Sequence, residues 1–351
     1  MRILVYGGGA VGLGIASCLL KSKCQGPRFA GTQVDIIARE NTVLRLREHG
    51  LVRTGIFGEY YADSAAFGSY LSLNEIQIKA YDYILVCTKS FDSLEAAEDL
   101  SRHKSLFGQP GRPGRRPGLG HTRLRRAGLD QTRRRRAKIV LFQNGWGNAE
   151  IFSSFFNREK IYNARVITGF RRLKSNEVEI TVHADSIHIG SLFGGDLSEI
   201  ESLCESITKG GIPCESTSEI EKDLWAKMLY NCALNGLGAI LDVPYGELAK
   251  NEFSRTIMNG IVEEVFDVIR MAGYKTHWPS PKDFLQVFYN KLVPDTAEHK
   301  SSTLQDITSK KKTEIDALNG AVIKLAQEYK TPVPYNLVVY NIVKFIEAGA
   351  L

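Results

Sequence analysis

The chain has 351 residues, of which 43% are hydrophobic and 24% are charged, and its formal net charge is +6. These values are ordinary for a globular protein with room for two domains, and no uninterrupted apolar run approaches the roughly 18 residues of a membrane helix, so no membrane span is expected. The six cysteines form no CxxC pair and no metal-ligand spacing. The opening segment MRILVYGGGAVG lacks the pattern of a signal peptide. We therefore expect a cytoplasmic protein with reduced thiols and no bound metal.

The first strand-like segment, RILVY, runs directly into a glycine-rich loop and then into a helix-like segment. The loop has the spacing GxGxxG and comprises Gly7, Gly8, Gly9, Ala10, Val11 and Gly12. Between a strand and a helix this spacing is typical of dinucleotide binding. The first glycine permits a tight turn, the second lets the backbone approach a pyrophosphate, and the third allows close helix–strand packing. A glycine turn without a function is the alternative.

The second strand-like segment, VDIIAR, ends at Arg39. An acid at this position typically binds the ribose 2′-hydroxyl of NAD, whereas an arginine suits the 2′-phosphate of NADP. The sequence therefore favours NADP. Glu40 stands next to Arg39, and the long loop before the strand blurs its register, so NAD remains the alternative.

Two further apolar segments, YDYILVC and KIVLF, are typical of strands buried on both faces of a parallel sheet. Lys89 follows the first segment and Asn144 follows the second. The carboxyl ends of strands in open α/β sheets face the ligand crevice, so we expect both side chains at a binding site. The alternatives are a lysine that reaches from the strand end to solvent and an asparagine that only forms a turn.

An arginine-rich stretch, residues 111–136, lies between these two strands. It contains ten arginines and one acid and contributes +9, so the remaining residues carry a net charge of −3. Nucleic-acid surfaces usually interleave aromatic side chains with basic ones, and this stretch contains none. We predict a disordered insertion spanning residues 108–137 and no nucleic-acid partner. A phosphate-binding arm is the alternative.

After about residue 219 the pattern changes to long helix-periodic segments, EIEKDLWAKMLYNCALNGLGAIL, RTIMNGIVEEVFDVIRMAG and TEIDALNGAVIKLAQEY. The predicted fold class is an α/β Rossmann-type dinucleotide-binding domain, residues 1–218, followed by an all-α C-terminal domain, residues 219–351. The segments VEITV and SIHIGSLFGG, which precede the change, resemble hairpin strands that extend the first domain.

Three polar side chains recur every four residues in the first of these helices: Lys227, Asn231 and Asn235. They share one face of an otherwise apolar helix, and buried amides need hydrogen-bonding partners. This stripe predicts a polar pocket. A stripe that faces water or a neighbouring helix is the alternative.

The segment HKSSTLQDITSKKKTEID contains further candidates. Ser301 and Ser302 precede an apolar helix, where a serine can also act only as the N-cap. Glu314 could bind a ligand or could pair with Lys310 on a solvated face.

Taken together, the glycine loop and the motifs TKSFD, QNGWGN, KMLYNCALN and SSTLQDITSKKKTEID resemble those of the ketopantoate reductase (2-dehydropantoate 2-reductase) family. The resemblance covers the chain in order, except for the arginine-rich stretch. It implies an active site in the cleft between an NADP-binding domain and a helical domain. It also implies a general acid at Lys227, nicotinamide-end residues at Lys89 and Asn144, and a cofactor-side or substrate-hydroxyl contact at Glu314. The implied substrate contacts are Asn144, Lys227, Asn231, Asn235 and Ser302.

One residue departs from the family pattern. Tyr245 stands where the family commonly has another substrate asparagine, which puts the exact 2-keto acid in question.

The implied reaction is the NADPH-dependent reduction of ketopantoate to pantoate, with Lys227 as proton donor. We expect the pKa of Lys227 to be lowered by burial or by a nearby cation such as Lys89. Reduction of another branched 2-keto acid and a non-catalytic NADP sensor are the alternatives. Monomer and homodimer are both open.

Overall fold

The computed structural model describes residues 1–77, 80–108 and 137–350. The arginine-rich stretch 111–136, for which we predict disorder, lies outside the described residues.

The twelve strands of the described chain all precede residue 219. Each is short and most are apolar. They are β1 (Arg2–Tyr6), β2 (Gln33–Ile37), β3 (Leu51–Gly55), β4 (Tyr60–Ala62), β5 (Gly68–Tyr70), β6 (Tyr83–Val86), β7 (Lys138–Leu141), β8 (Ile161–Arg165), β9 (Thr168–Lys174), β10 (Glu177–His183), β11 (Ile187–Gly190) and β12 (Cys214–Ser216).

Eight strands form the main sheet in the order β12-β11-β8-β7-β6-β1-β2-β5. The six from β5 to β8 are parallel and follow the strand order of a doubly wound dinucleotide-binding sheet. β11 runs antiparallel to β8, and β12 pairs with it at the edge. The prediction of a parallel Rossmann-type sheet is therefore confirmed, and β6 and β7, which precede Lys89 and Asn144, are neighbours as expected.

The helices cover both faces of the main sheet and build the second half of the chain. They are α1 (Ala10–Ser22), α2 (Pro27–Ala30), α3 (Glu40–His49), α4 (Ser93–Arg102), α5 (Asn148–Ser153), α6 (Glu201–Lys209), α7 (Ile220–Leu241), α8 (Tyr245–Lys250), α9 (Glu252–Met271), α10 (Pro281–Val287), α11 (Ser302–Thr308), α12 (Asn319–Glu328) and α13 (Pro334–Ala350). α1 and α6 cover one face of the main sheet, and α4 and α5 cover the other. No helix of the described residues is long and apolar enough to cross a membrane.

A second sheet of four strands, in the order β4-β3-β10-β9, packs over α1. The prediction that VEITV and SIHIGSLFGG form strands of the first half is confirmed, but the two do not pair with each other, because they enter different sheets. VEITV lies in β10, which pairs with β9 and β3, whereas SIHIG contains β11 of the main sheet. Each segment buries alternate apolar side chains, and that pattern does not specify a partner strand.

The long helix α7 is the centre of the helical half and packs against α8, α9, α11 and α13. The prediction of a helix beginning at TEID is wrong. Residues Ile315–Ala317 form a 3-10 turn, and α12 begins only at Asn319. Tertiary hydrogen bonds hold this segment instead, because Glu347 accepts from the backbone and hydroxyl of Thr313.

Candidate active site

The predicted site residues of the first half lie at one level along the edge of the main sheet. Val86, Leu141 and Asn163 are register partners on β6, β7 and β8. Lys89, Asn144 and Val166 each follow these partners by three residues. The carboxyl ends of parallel strands meet at one edge, so the register alone places these three positions side by side.

The glycine loop lies at the same edge, after β1. Gly7 has φ +118°, and a Cβ on it would lie 2.8 Å from the backbone of Cys87 and of Thr88. A Cβ on Gly12 would lie 1.9 Å from the carbonyl oxygen of Gly7, so helix α1 approaches the loop as closely as the motif predicts. Gly9, the N-cap of α1, has no atom within 4 Å of its Cβ position and no side-chain cap. The open space and the uncapped helix N-terminus fit a pyrophosphate.

Arg39 is exposed at the end of β2 and is the N-cap of α3. Its side chain forms no ion pair with any acid among the described residues. An exposed, unpaired guanidinium at the end of the second strand fits an added phosphate group. Glu40, the predicted alternative contact, is in the first turn of α3.

Lys227 reaches from α7 to the strand edge. Its Nζ donates to Asn144 Oδ1 at 2.5 Å and to the carbonyl oxygen of Val166 at 2.7 Å. Both acceptors are neutral, so the ammonium is held without a counter-ion in contact. An ammonium has three N–H groups, and the third has no acceptor among the described residues. The surrounding cleft is lined by Gln143, Asn144, Gly145, Ala164, Leu224, Lys227, Met228 and Asn231.

Burial lowers the pKa of Lys227 to about 8, with Glu314 opposing the shift and Arg165 adding to it. The expectation of a lowered pKa is supported, but the contributing cation is Arg165 at the end of β8, not Lys89. Lys89 instead faces carboxylates. Although burial disfavours its charge, Glu314 and Asp306 raise its pKa above the ordinary value.

Glu314 is the centre of the polar network and is only 7% exposed. One carboxylate oxygen accepts from the backbone N–H of Ser90 at 2.9 Å. The other accepts from Lys89 Nζ and from Asn144 Nδ2, each at 3.3 Å. The alternative pairing with Lys310 on a solvated face is therefore excluded. Because Glu314 takes the Asn144 amide nitrogen, the amide oxygen is directed at Lys227.

The three predicted substrate contacts occupy different environments. Asn231 lines the cleft one turn beyond Lys227. Asn235 is buried, and its Oδ1 accepts a hydrogen bond from the Tyr245 hydroxyl at 2.7 Å. Ser302 lies in the first turn of α11, whose N-cap is Ser301. Tyr245, the departure from the family pattern, therefore fixes the orientation of Asn235.

Three residues of this site were not predicted from the sequence. Gln143 donates to Thr88 Oγ1 at 3.1 Å and to the Lys89 carbonyl at 3.2 Å, which ties the ends of β6 and β7 together. Asp306 accepts from Lys89 Nζ at 2.8 Å. Arg165 is the last residue of β8, whose sequence is IYNAR. This short segment was not predicted as a strand, although it begins with the β-forming residues Ile161 and Tyr162.

Comparison with known proteins places the chain among ketopantoate reductases. The family model "Ketopantoate reductase PanE/ApbA" matches residues 3–105 and 124–194, and "Ketopantoate reductase PanE/ApbA C terminal" matches residues 219–347. A 2-dehydropantoate 2-reductase from Aquifex aeolicus is 32% identical over 345 residues, covering 98% of this chain and 96% of that one. Another, from Archaeoglobus fulgidus, is 29% identical over 211 residues, covering 60% of this chain and 68% of that one.

Two solved structures share the fold. A ketopantoate reductase from Ralstonia eutropha JMP134 superposes with a TM-score of 0.77 at 24% identity, covering 100% of this chain and 99% of that one. D-mandelate dehydrogenase, solved with NADH and anilino(oxo)acetate, superposes with a TM-score of 0.79 at 22% identity and the same coverage. At these identities the likeness concerns the fold alone.

Proposed function

The chain belongs to the ketopantoate reductase family, and we propose that it reduces 2-dehydropantoate (ketopantoate) to pantoate with Lys227 as the proton donor. The family makes it an oxidoreductase, and ketopantoate reductases use NADPH. The observation that carries the proposal is the Lys227 ammonium, which lines the cleft and is held at the strand edge by two neutral oxygens.

The residues of the first half would hold the cofactor. Gly7–Gly12 offer the pyrophosphate an open backbone surface at Gly9, and Arg39 offers the 2′-phosphate an unpaired guanidinium. When bound, NADPH supplies the hydride for the ketone carbon. Lys89 and Asn144 would lie at the nicotinamide end, because the carboxyl ends of β6 and β7 continue the edge that begins at the glycine loop.

Lys227 would stabilise the charge that develops on the ketone oxygen and donate a proton to it. A donor is most effective when its pKa lies near the working pH, and a value of about 8 satisfies this. Asn144 and the Val166 carbonyl hold the ammonium in place, so donation requires little reorganisation.

Glu314 would position the donor and the cofactor-side lysine together. Its carboxylate binds Lys89, the Asn144 amide and the Ser90 backbone at once.

Asn231, one turn beyond Lys227 on α7, and Ser302, in the first turn of α11, would bind the carboxylate and hydroxymethyl groups of the substrate. The buried Asn235 would contribute only its amide nitrogen, because Tyr245 holds its amide oxygen. Such contacts fix the ketone for reaction.

We place the reaction on the route to pantothenate and coenzyme A in the cytoplasm. The six cysteines are all free, which fits a reducing compartment. We also propose a division into an NADP-binding domain, residues 1–218, and a helical substrate domain, residues 219–351.

Reduction of another 2-keto acid is the second candidate. The Tyr245 hydroxyl donates a hydrogen bond to Asn235, so that amide oxygen is not available to a substrate. D-mandelate dehydrogenase shares the fold. A purely NADP-binding sensor is less well supported, because it would not need the buried network around Lys227 and Glu314.

Steady-state oxidation of NADPH with ketopantoate, 2-ketoisovalerate and phenylglyoxylate would separate the candidates. We expect kcat/KM to be highest for ketopantoate, because the polar side chains Asn231 and Ser302 can bind its hydroxymethyl group. A higher kcat/KM for 2-ketoisovalerate or phenylglyoxylate would transfer the assignment to the second candidate. No turnover with any of them would favour the sensor.

A further inference from the structure

The small sheet brings a second arginine to the cofactor side of the molecule. Arg172 lies on β9 two residues after Phe170, so both side chains lie on the same face of the strand. Phe170 packs on α1, where a Cβ on Gly14 would lie 2.3 Å from its ring. The β10 partners of Phe170 and Arg172, Ile180 and Val178, are fully buried. This face of β9 therefore looks toward the helix that begins at the glycine loop.

The guanidinium of Arg172 lies beside Arg39. Its Nη2 donates to Thr42 Oγ1 at 2.5 Å, and the Thr42 backbone N–H donates to the Arg39 carbonyl at 2.9 Å. The methyl group of Thr42 in turn lies 3.2 Å from the Cβ position of Gly8. Thr42 thus links Arg172, Arg39 and the glycine loop within one corner of the molecule.

Within the described part of the chain, these two guanidinium groups have no acidic side chain in contact, although the charge of Arg39 acts at longer range on the Asp92 carboxyl. Among the residues that the structure describes, neither forms an ion pair, and the remaining acceptors of Arg172 are the neutral carbonyls of Lys174 and Ser175. Partial burial lowers the pKa of Arg172, and the charge of Arg39 lowers it further. Both side chains are exposed and so accessible to a ligand. Two adjacent, unpaired cations repel each other until an anion lies between them.

The neighbouring arginine on the same strand behaves differently. Arg171 points to the opposite face of β9 and forms an ion pair with Glu179. It provides a matched control, since it is an exposed arginine on the same strand but already has an acidic partner.

We propose that Arg172 acts with Arg39 as a second binding group for the 2′-phosphate of NADP, and so as a determinant of NADP over NAD. The inference rests on the proposed use of NADPH. A phosphate monoester carries close to two negative charges at neutral pH, which two guanidinium groups can match. The ribose 2′-hydroxyl of NAD offers no charge, so Arg172 contributes selectivity and little to the binding of NAD.

Isothermal titration calorimetry with 2′,5′-ADP and with 5′-AMP isolates this contact from catalysis. In the intact protein, 2′,5′-ADP should bind more tightly than 5′-AMP. Arg172→Ala should weaken the binding of 2′,5′-ADP by about tenfold or more, the scale of a lost charge-assisted contact. It should change the affinity for 5′-AMP by less than about twofold, since that ligand lacks the 2′-phosphate. Arg39→Ala should act in the same direction, and Arg171→Ala should change neither affinity.

The outcomes separate a failure of the proposed role of Arg172 from a failure of the proposed use of NADP. If the unaltered protein does not discriminate between the two ligands, the use of NADP itself is wrong. If it does and Arg39→Ala abolishes the difference while Arg172→Ala preserves it, Arg172 has no part in selectivity. Arg172→Gln, which keeps hydrogen-bond donors for Lys174 and Ser175 without the charge, serves if the alanine variant unfolds. An equal loss of affinity for 2′,5′-ADP and for 5′-AMP in that variant would assign Arg172 a structural role only.

Discussion

Lys227 combines a partly buried charge with neutral partners, and that combination sets its chemistry. A carboxylate in contact would stabilise the ammonium and make it a poorer acid, as happens at Lys89. The acceptors of Lys227 are an amide oxygen and a backbone carbonyl, so burial dominates and the pKa falls to about 8. One lysine is thereby suited to donate a proton while the other remains a fixed cation.

This pKa predicts the pH dependence of the reduction. A lysine donates only in its protonated form, and a lowered pKa means that this form is lost as the pH rises through about 8. We expect kcat/KM to be level below that pH and to fall by about tenfold per pH unit well above it, because kcat/KM reports the group before the substrate binds. The pH profile of kcat/KM for the 2-keto acid checks this expectation.

A variant tests the assignment of that titration. Arg replaces the amine with a group whose pKa exceeds about 12, so Lys227→Arg should lose the alkaline fall while turning over more slowly. An unchanged alkaline limb in this variant would assign the titration to another group.

At the level of single residues, the sequence predicts the polar stripe well and its partners poorly. The four-residue spacing of Lys227, Asn231 and Asn235 is visible in one helix, because helical periodicity is local. Arg165 and Gln143 contribute through contacts with residues distant in the chain. No spacing in the sequence encodes such contacts.

At the level of elements, the loop after β7 couples the two halves of the chain. Gly145 has φ +84°, and a Cβ on it would lie 2.3 Å from the Ala317 carbonyl oxygen. The next residue, Trp146, donates its backbone N–H to that same oxygen at 2.9 Å. Asn144 immediately precedes this contact, so the loop sets the position of the amide that holds Lys227.

Gly145→Ala should therefore damage both stability and catalysis. Strained left-handed backbone costs about 1–3 kcal/mol for a non-glycine residue, and the clash with Ala317 adds to this cost. We expect a lower midpoint of thermal unfolding and a kcat reduced by about tenfold, the effect of misplacing a reacting group slightly. Thermal denaturation and steady-state kinetics measure the two effects.

Gly147 supplies the matched control. It lies in the same loop with φ +97°, but nothing lies within 4 Å of its Cβ position. Gly147→Ala introduces the backbone strain without the clash, so it should lose less stability and retain more activity. Equal losses in the two variants would show that contact with Ala317 is not what positions Asn144.

The sequence identifies elements with strong local periodicity and misses those held by tertiary contacts. The strands β1, β2, β6, β7 and β11 of the main sheet and the helix α7 follow from apolar patterning, whereas β5, β8 and β12 do not. The TEID segment satisfies the same helical pattern, yet Glu314 stays outside a helix because its carboxylate binds Lys89, Asn144 and the Ser90 backbone. The small sheet was not anticipated either, since β3 and β10 pair across more than a hundred residues.

At the level of the whole molecule, we predict that the arginine-rich stretch is a local addition to the chain; the family model omits residues 106–123 and resumes at residue 124. Fifty-five positions separate Lys89 from Asn144, whereas a strand–helix–strand crossover needs about 30. The backbone N–H of Ala137 donates to the Phe107 carbonyl at 3.4 Å. The flanks of the stretch therefore meet at one point of the fold.

Deletion of residues 111–136 should leave catalysis intact. Gly108, Gln109 and Pro110 would remain to connect Phe107 with Ala137, and loop length affects stability only weakly, by about 0.6 kcal/mol per doubling. We expect kcat/KM to change by less than about threefold. The formal net charge should pass from +6 to −3, since ten arginines and one acid are removed. Loss of activity with an unchanged circular dichroism spectrum would instead make the stretch part of the active site.

We infer that the cleft shared by the two halves uses Lys227 as its proton donor. The most direct test is kcat of Lys227→Ala, measured beside the dissociation constant for NADPH. Lys222→Ala is the control, because Lys222 lies on the same helix and pairs with Glu219 away from the cleft. We predict that kcat falls by about 10²-fold or more, that NADPH binding stays nearly unchanged, and that the control turns over normally. Near-normal turnover of Lys227→Ala would contradict the account and make Lys89 the next candidate.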